Sequence, residues 1–268
     1  MARLSMNEMT TYRWSFEEDV AHYKAAGIPA IGVWRQKLSD YGEDKGIELL
    51  TESGLAVSSL LWAGGFTGSD GRTFRESLDD AFEAVRLAAM MQAGCLVVYT
   101  GARAGHTHNH ARRLVRDALR ELSGLAGSLG VRLAIEPMHS GCAAEWTFLT
   151  DIEGTLEMIE AVGDPNLRLV FDTYHFGHDH DVRSQLQALA PRIAIVHLGD
   201  GREPPQREQN RSRLGEGNVP LSEIIDGLAR GGYNGDYDVE LMGEDIENSC
   251  YKALLDQSKC AFARLVAS

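Results

Sequence analysis

Four apolar runs in the second half of the chain each end on a side chain that can bind a cation: Glu136 in RLAIEP, Asp172 in RLVFD, His197 in IAIVHL and Glu240 in YDVEL. Brought together, three carboxylates and an imidazole repel one another and lose hydration, and a divalent cation relieves both costs. Mostly oxygen donors with one imidazole suit Mn²⁺ or Mg²⁺, with Co²⁺ or Zn²⁺ as further options. Taken singly, each residue has a plainer explanation. An Asp or Glu at a strand end caps a helix or carries surface charge, and a His after IAIV is a satisfied core residue. The coincidence of four, at corresponding positions of four consecutive runs, favours a shared site. LVFDTYHFGHDH, with three histidines and two aspartates in twelve residues, then supplies one ligand, Asp172. His178, Asp179 and His180 shape the loop behind it and cap the next helix.

These side chains converge only if the runs are neighbouring strands ending at one rim. Side chains alternate across a strand. Ala134 therefore shares a face with Glu136, Val170 with Asp172, and Asp238 with Glu240, opposite Tyr237, Val239 and Leu241. RIAIVHL is apolar on both faces, so parity decides less there. The first half repeats the rhythm. ARLSMN, AIGVW, LAVSSLLW and CLVVYT read as strands. SFEEDVAHYKAAG, LSDYGEDKGIELLTESG, a segment from about Arg75 to Gln92 and HARRLVRDALRELSGLAGSLG read as helices, the first capped by Ser15 and stopped at Gly27. TDIEGTLEMIEAVG (capped by Thr150 or Asp151), VRSQLQALA, PLSEIIDGLARGGY and IENSCYKALLDQSKCAFARLV supply the later helices. About eight strand–helix units without a Pro/Ser-rich linker point to one domain over residues 1–268, a single (β/α)₈ TIM barrel of the α/β class. The alternative, an open doubly wound sheet, lacks a glycine-rich nucleotide loop after its first strand.

The bulk numbers agree. A chain of 268 residues is near the roughly 250 typical of such a barrel. With 26 basic and 39 acidic side chains the net charge is 26 − 39 = −13, which disfavours nucleic acid and anionic membrane surfaces as partners. No segment approaches the roughly 20 apolar residues needed to span a bilayer. The N-terminus carries no apolar run resembling a signal peptide, and Cys95, Cys142, Cys250 and Cys260 form no CxxC. A cytoplasmic protein with free thiols is the expectation.

IEP, FDTYH, VHLGDGR, GEGNVPL and GGYNGDYDVEL resemble the sugar phosphate isomerase/epimerase superfamily, whose fold is the xylose isomerase-like TIM barrel. That group includes ketose 3-epimerases, hydroxypyruvate isomerases, inosose isomerases and dehydratases, and type IV apurinic endonucleases. The likeness is strongest from about Val131 to Leu241. It implies a metal site of Glu136, Asp172, His197 and Glu240, with Glu136 and Glu240 doubling as the acid/base pair. One glutamate removes a proton next to a carbonyl, and the cation stabilises the resulting enediolate. Return to the opposite face is epimerisation, and return to the neighbouring carbon is isomerisation. The resemblance also implies substrate contacts from His175, three residues past Asp172, and from Arg202 in HLGDGR, whose plainer reading is a surface salt bridge with Asp200.

Trp34, Trp62 and Phe66 either wall a sugar pocket or pack in the core. The HTHNH cluster (His106 to His110) and His139 have at most substrate-contact roles. The expected partner is a small sugar or polyol, and a homodimer or tetramer is the expected assembly. A dehydratase or lyase using a similar substrate, a non-catalytic sugar-binding barrel and an apurinic endonuclease remain as alternatives. The endonuclease would need histidines where SSLLW and LVVYT end, and an Asp-x-His within EPPQREQNRSRLGEG.

Overall fold

Strand–helix alternation closes into a ring. In the computed structural model, which describes residues 2–267, eight parallel strands pair in chain order and β8 returns to β1. The single-domain expectation also spans Met1 and Ser268, which lie outside the described residues.

The first half contributes β1 (Arg3–Asn7), α1 (Phe16–Ala25), β2 (Ala30–Trp34), α2 (Arg35–Tyr41), α3 (Glu43–Ser53), β3 (Ala56–Gly64), α4 (Phe74–Met90), β4 (Leu96–Tyr99) and α5 (His108–Ser128). The second half adds β5 (Leu133–Ile135), α6 (Ile152–Val162), β6 (Leu167–Asp172), α7 (Thr173–Phe176), α8 (His180–Ser184) and α9 (Leu186–Leu189). A 3₁₀ turn (Ala190–Arg192), β7 (Ile193–Leu198), α10 (Leu221–Arg230), β8 (Asp236–Val239), α11 (Glu244–Glu247) and α12 (Tyr251–Leu265) complete the chain.

Local sequence explains most boundaries. Ser15 and Thr73 form capping boxes with Glu18 and Glu76 at the starts of α1 and α4, each contributing about 1 kcal/mol. Asp151, rather than Thr150, caps α6, and Asp179 caps α8. Two expectations are corrected. The segment read as one helix from LSDY to TESG breaks at Gly42, whose φ of 105° is outside the helical region. The closing helix starts only at Tyr251, after the separate turn α11.

Parity along the strands separates two cores. Leu133 and Ile135, Leu169 and Phe171, Val196 and Tyr237 pack outward against the helices. Leu61, Cys95, Val97, Ala134, Val170 and Ile195 fill the barrel interior. His197 lies two residues past Ile195, so it shares the inward face that its own run left undecided. The other side of the interior is polar: Ser5 Oγ meets Ser58 Oγ at 2.6 Å, and Asn7 Nδ2 donates to Asp238 Oδ2 at 2.9 Å. A Cβ at Gly32 would stand 2.3 Å from Asp238 Oδ2, so this crossing requires glycine. Among the described residues no helix is long and apolar enough to cross a membrane.

Candidate metal centre

The barrel brings Glu136, Asp172, His197 and Glu240 together at the rim where the strands end. One donor atom from each lies within 4.8 Å of the others. Asp172 closes β6 in register with His197, and His197 pairs with Asp238. Glu136 and Glu240 stand one residue beyond β5 and β8. The ladder still holds them, because the Glu136 amide donates to the Val98 carbonyl (3.1 Å) and the Glu240 amide to that of Leu198 (3.2 Å). Side-chain direction is thus fixed by the sheet.

His197 Nδ1 lies 2.9 Å from Glu136 Oε1 and 2.8 Å from Glu240 Oε2. Asp172 Oδ1 accepts the amides of Tyr174 (2.7 Å) and His175 (3.3 Å), capping α7 and aiming Oδ2 into the site. Arg211 closes the cluster from the loop after β7. Its Nη2 is 2.9 Å from Asp172 Oδ2 and 3.6 Å from Glu240 Oε1, and Nη1 donates to the Glu240 carbonyl at 3.0 Å. Despite these ion pairs, Asp172 Oδ2 and Glu240 Oε2 are buried without a directed hydrogen-bond donor. Buried, converging carboxylate lone pairs beside one imidazole are the donor set a divalent cation takes, so the residues present fit such an ion.

The electrostatics of the two glutamates differ. Burial raises the Glu136 carboxyl above its usual range against the pull of His197. Burial pushes Glu240 the same way, but Arg211 and His197 overrule it and hold it down at about 2. Burial works against the charged form of His197, and Glu136 and Glu240 reverse that effect, raising its pKa well above the ordinary value.

Beside the cluster opens a cavity. Its polar lining is Glu136, Glu240, His175, Gln209 and Arg211. Its apolar walls are Trp62, Tyr99, Trp146 and three methionines, Met9, Met138 and Met242. Trp146, 44% exposed, packs its ring 5.8 Å from that of Trp62 and 6.3 Å from Tyr99.

Of the residues singled out from sequence, His175 and Trp62 line this cavity. Burial lowers His175 to about 4 although Asp172 opposes it, so the ring is neutral near pH 7. Trp34 does not line the cavity. It stands behind Trp62 with centroids 6.4 Å apart, its amide donating to Glu8 Oε2. Phe66 is wholly buried core. His106 binds the Thr67 carbonyl and stacks on His110, while His139 Nδ1 accepts the Gly141 amide; none lines the cavity.

Arg202 lies outside the site. It is exposed in a neighbouring groove, and its carbonyl accepts from Asn218. The arginine that reaches the carboxylates is Arg211, nine residues later and 2% exposed. Asp200 is not the salt-bridge partner expected for Arg202 either; it is buried and accepts backbone amides. Sequence reading missed Arg211, Gln209, Tyr99, Trp146 and the methionines. Only Trp146, a lone large aromatic soon after a strand-end ligand, left a signal. Among the described residues, no second group of three or more such donors accompanies the four.

The xylose isomerase-like TIM barrel family matches residues 20–256. Inosose isomerase of Bacillus velezensis is 26% identical over 256 residues, covering 89% of this chain and 88% of that protein. L-ribulose-5-phosphate 3-epimerase UlaE of Escherichia coli K12 is 30% identical over 183 residues, 64% of this chain and 61% of its own length. The crystal structure of the IOLI protein with a bound zinc atom superposes with a TM-score of 0.85 at 20% identity, covering 99% of this chain and 98% of that one.

Proposed function

The chain belongs to the xylose isomerase-like TIM barrel family, and on that premise we propose that it is a divalent-cation-dependent isomerase or epimerase of a small polyhydroxy ketone: a keto-sugar, an inosose or a related polyol. The observation that carries the reading is the pairing of Glu136 and Glu240 across His197, with both glutamates lining one cavity. The relatives named isomerase and 3-epimerase support the same reaction class.

Glu136, Asp172, His197 and Glu240 would hold the cation, Mn²⁺ or Mg²⁺ by donor type, with the zinc of the IOLI structure adding weight to Zn²⁺. When bound, it supplies stabilisation of the negative charge that develops as a proton leaves the carbon beside a carbonyl. The chain's own residues do the rest. A carboxylate oxygen of one glutamate takes the proton and the other glutamate holds one to return. Arg211 lies 3.6 Å from Glu240 Oε1, so the two glutamates sit in different charge environments, as paired carboxylates that divide acid and base work do. Arg211 keeps Glu240 anionic and fixes Asp172. Neutral His175 can donate to or accept from a substrate hydroxyl. Trp62 and Trp146 offer ring faces to the C–H surface of a sugar, and the methionines exclude water.

The test is a panel of ketoses and inososes in D₂O with Mn²⁺, Mg²⁺, Co²⁺ or Zn²⁺. Deuterium should enter the carbon next to the carbonyl, and Glu136→Gln and Glu240→Gln should each reduce the exchange by at least about a hundredfold. No exchange with any member, or full exchange in both variants, ends the proposal. Product analysis of the same reactions separates isomerisation and epimerisation from dehydration.

A further inference from the structure

Barrels of this kind commonly bind substrate phosphate in the loops after the seventh and eighth strands, using free backbone amides and a short extra helix. Both positions are already taken here by the protein's own acids. After β7, the Asp200 carboxylate accepts the amides of Gly201 (2.8 Å), Gly215 (2.8 Å), Gly217 (3.0 Å) and Val219 (3.2 Å). The fit is close: a Cβ at Gly217 would lie 2.1 Å from Asp200 Oδ1. An internal carboxylate thus fills the nest that a phosphate would use. After β8, the short helix α11 carries Glu244, Asp245 and Glu247 in its first turn, which repels an anion rather than inviting one.

Among the described residues, Arg211 is the one arginine or lysine that lines the cavity, and its Nη2 is engaged by Asp172, Glu240 and Gln209. Behind the aromatic wall, Arg35 and Arg72 are paired with Asp80 and Asp70. The other polar groups lining the cavity are the carboxylates of Glu136 and Glu240, His175 and Gln209, and none of them supplies a fixed positive charge for a phosphate.

We infer that the substrate is an unphosphorylated, uncharged polyhydroxy ketone, and that the site discriminates against phosphate esters. The inference rests on the isomerase/epimerase reading for its reaction and adds the charge state of the substrate. Discrimination needs features that oppose the wrong ligand as well as a fit to the right one; here they are the nest filled by Asp200 and the acidic first turn of α11.

Matched pairs test it: D-ribulose with D-ribulose 5-phosphate, and D-fructose with D-fructose 6-phosphate, on the Mg²⁺-loaded protein. Deuterium exchange reads turnover, and quenching of tryptophan fluorescence, through Trp62 and Trp146, reads binding without turnover. The phosphate esters should neither quench saturably nor exchange at millimolar concentrations, and any kcat/KM pair that can be measured should favour the free ketose by on the order of tenfold or more. A phosphate ester that exchanges or quenches at concentrations equal to or below its free ketose overturns the inference and leaves the parent reading standing. Absence of exchange with every ketose and inosose sinks the parent reading instead. The fluorescence arm then still decides whether phosphate esters are excluded.

Discussion

Replacing Arg211 with methionine tests whether its guanidinium holds the carboxylates by charge or merely fills space. Methionine keeps much of the volume over the Tyr174 ring, 4.7 Å below the guanidinium carbon, but removes the cation 2.9 Å from Asp172 Oδ2 and 3.6 Å from Glu240 Oε1. Two buried carboxylates then lose their fixed partner. Breaking a buried pair in this way costs about 3–5 kcal/mol. At about 2.1 cal/mol/K per residue, 268 residues give a transition entropy near 0.56 kcal/mol/K, so Tm should fall by about 5–9 °C.

The pH dependence distinguishes charge from packing. Arg211 is the foremost influence opposing burial at Glu240 and, together with His197, takes that carboxyl from 4.5 to about 2. A depressed carboxylate contributes stability that is present above its unfolded value and lost as pH falls through its folded value. The deficit of Arg211→Met should therefore be largest at neutral pH and shrink as pH drops from about 4.5 towards 2. Thermal melts of both proteins in chelator across that range measure it, and Arg211→Lys, which keeps the charge without the fork, should fall between them. A fall under about 1 °C, or a deficit unchanged with pH, would refute electrostatic positioning by Arg211.

Other perturbations probe neighbouring claims. Arg202→Ala should change stability by no more than about 0.5 kcal/mol and leave kcat/KM within about threefold; a tenfold or greater loss would return Arg202 to the site. Trp146→Ala should raise KM for a sugar substrate by about three- to tenfold with little change in Tm, and a fall in kcat alone would contradict a binding role. Asp19, buried against Lys37 beside the end of β1, is raised from 3.8 to about 6, with burial as the main cause. Its contribution to stability is present below the unfolded value and lost as pH climbs through the folded one. Asp19→Asn should therefore gain on the wild type between about pH 4 and pH 6, by up to about 3 kcal/mol, and parallel stability curves would rule this out.

What could be read from sequence follows the backbone ladder. A strand has two faces and a fixed register, so the parity of Ala134 with Glu136, or Val170 with Asp172, carries directly into three dimensions. The barrel and its four-residue cluster were legible for that reason. The loop after β7, residues 199–220, has no such constraint. It contains Arg202, Arg207, Arg211 and Arg213, and their spacing does not say which one folds back. Two long-range contacts decide it: the Arg211 amide on the Met242 carbonyl (2.8 Å) and the Ser212 amide on that of Asp200 (2.9 Å). The first unites the loop with the segment after β8, and the second, within the loop, depends on a carboxylate already filling it.

That division has a chemical consequence. The four candidate ligands hang from the ladder, whose geometry is set by eight mutually supporting strands. Much of the wall that meets the substrate hangs from loops: Met9, Met138, Trp146, Gln209, Arg211 and Met242. A substitution among the first group alters the charge balance of the whole cluster, because His197 pairs with both glutamates and Arg211 joins Asp172 to Glu240. A substitution among the apolar loop residues changes only what the cavity accepts. On the proposed function, reaction class is written in strand-end residues that sequence parity exposes, whereas substrate choice depends on loop contacts that only the folded chain reveals.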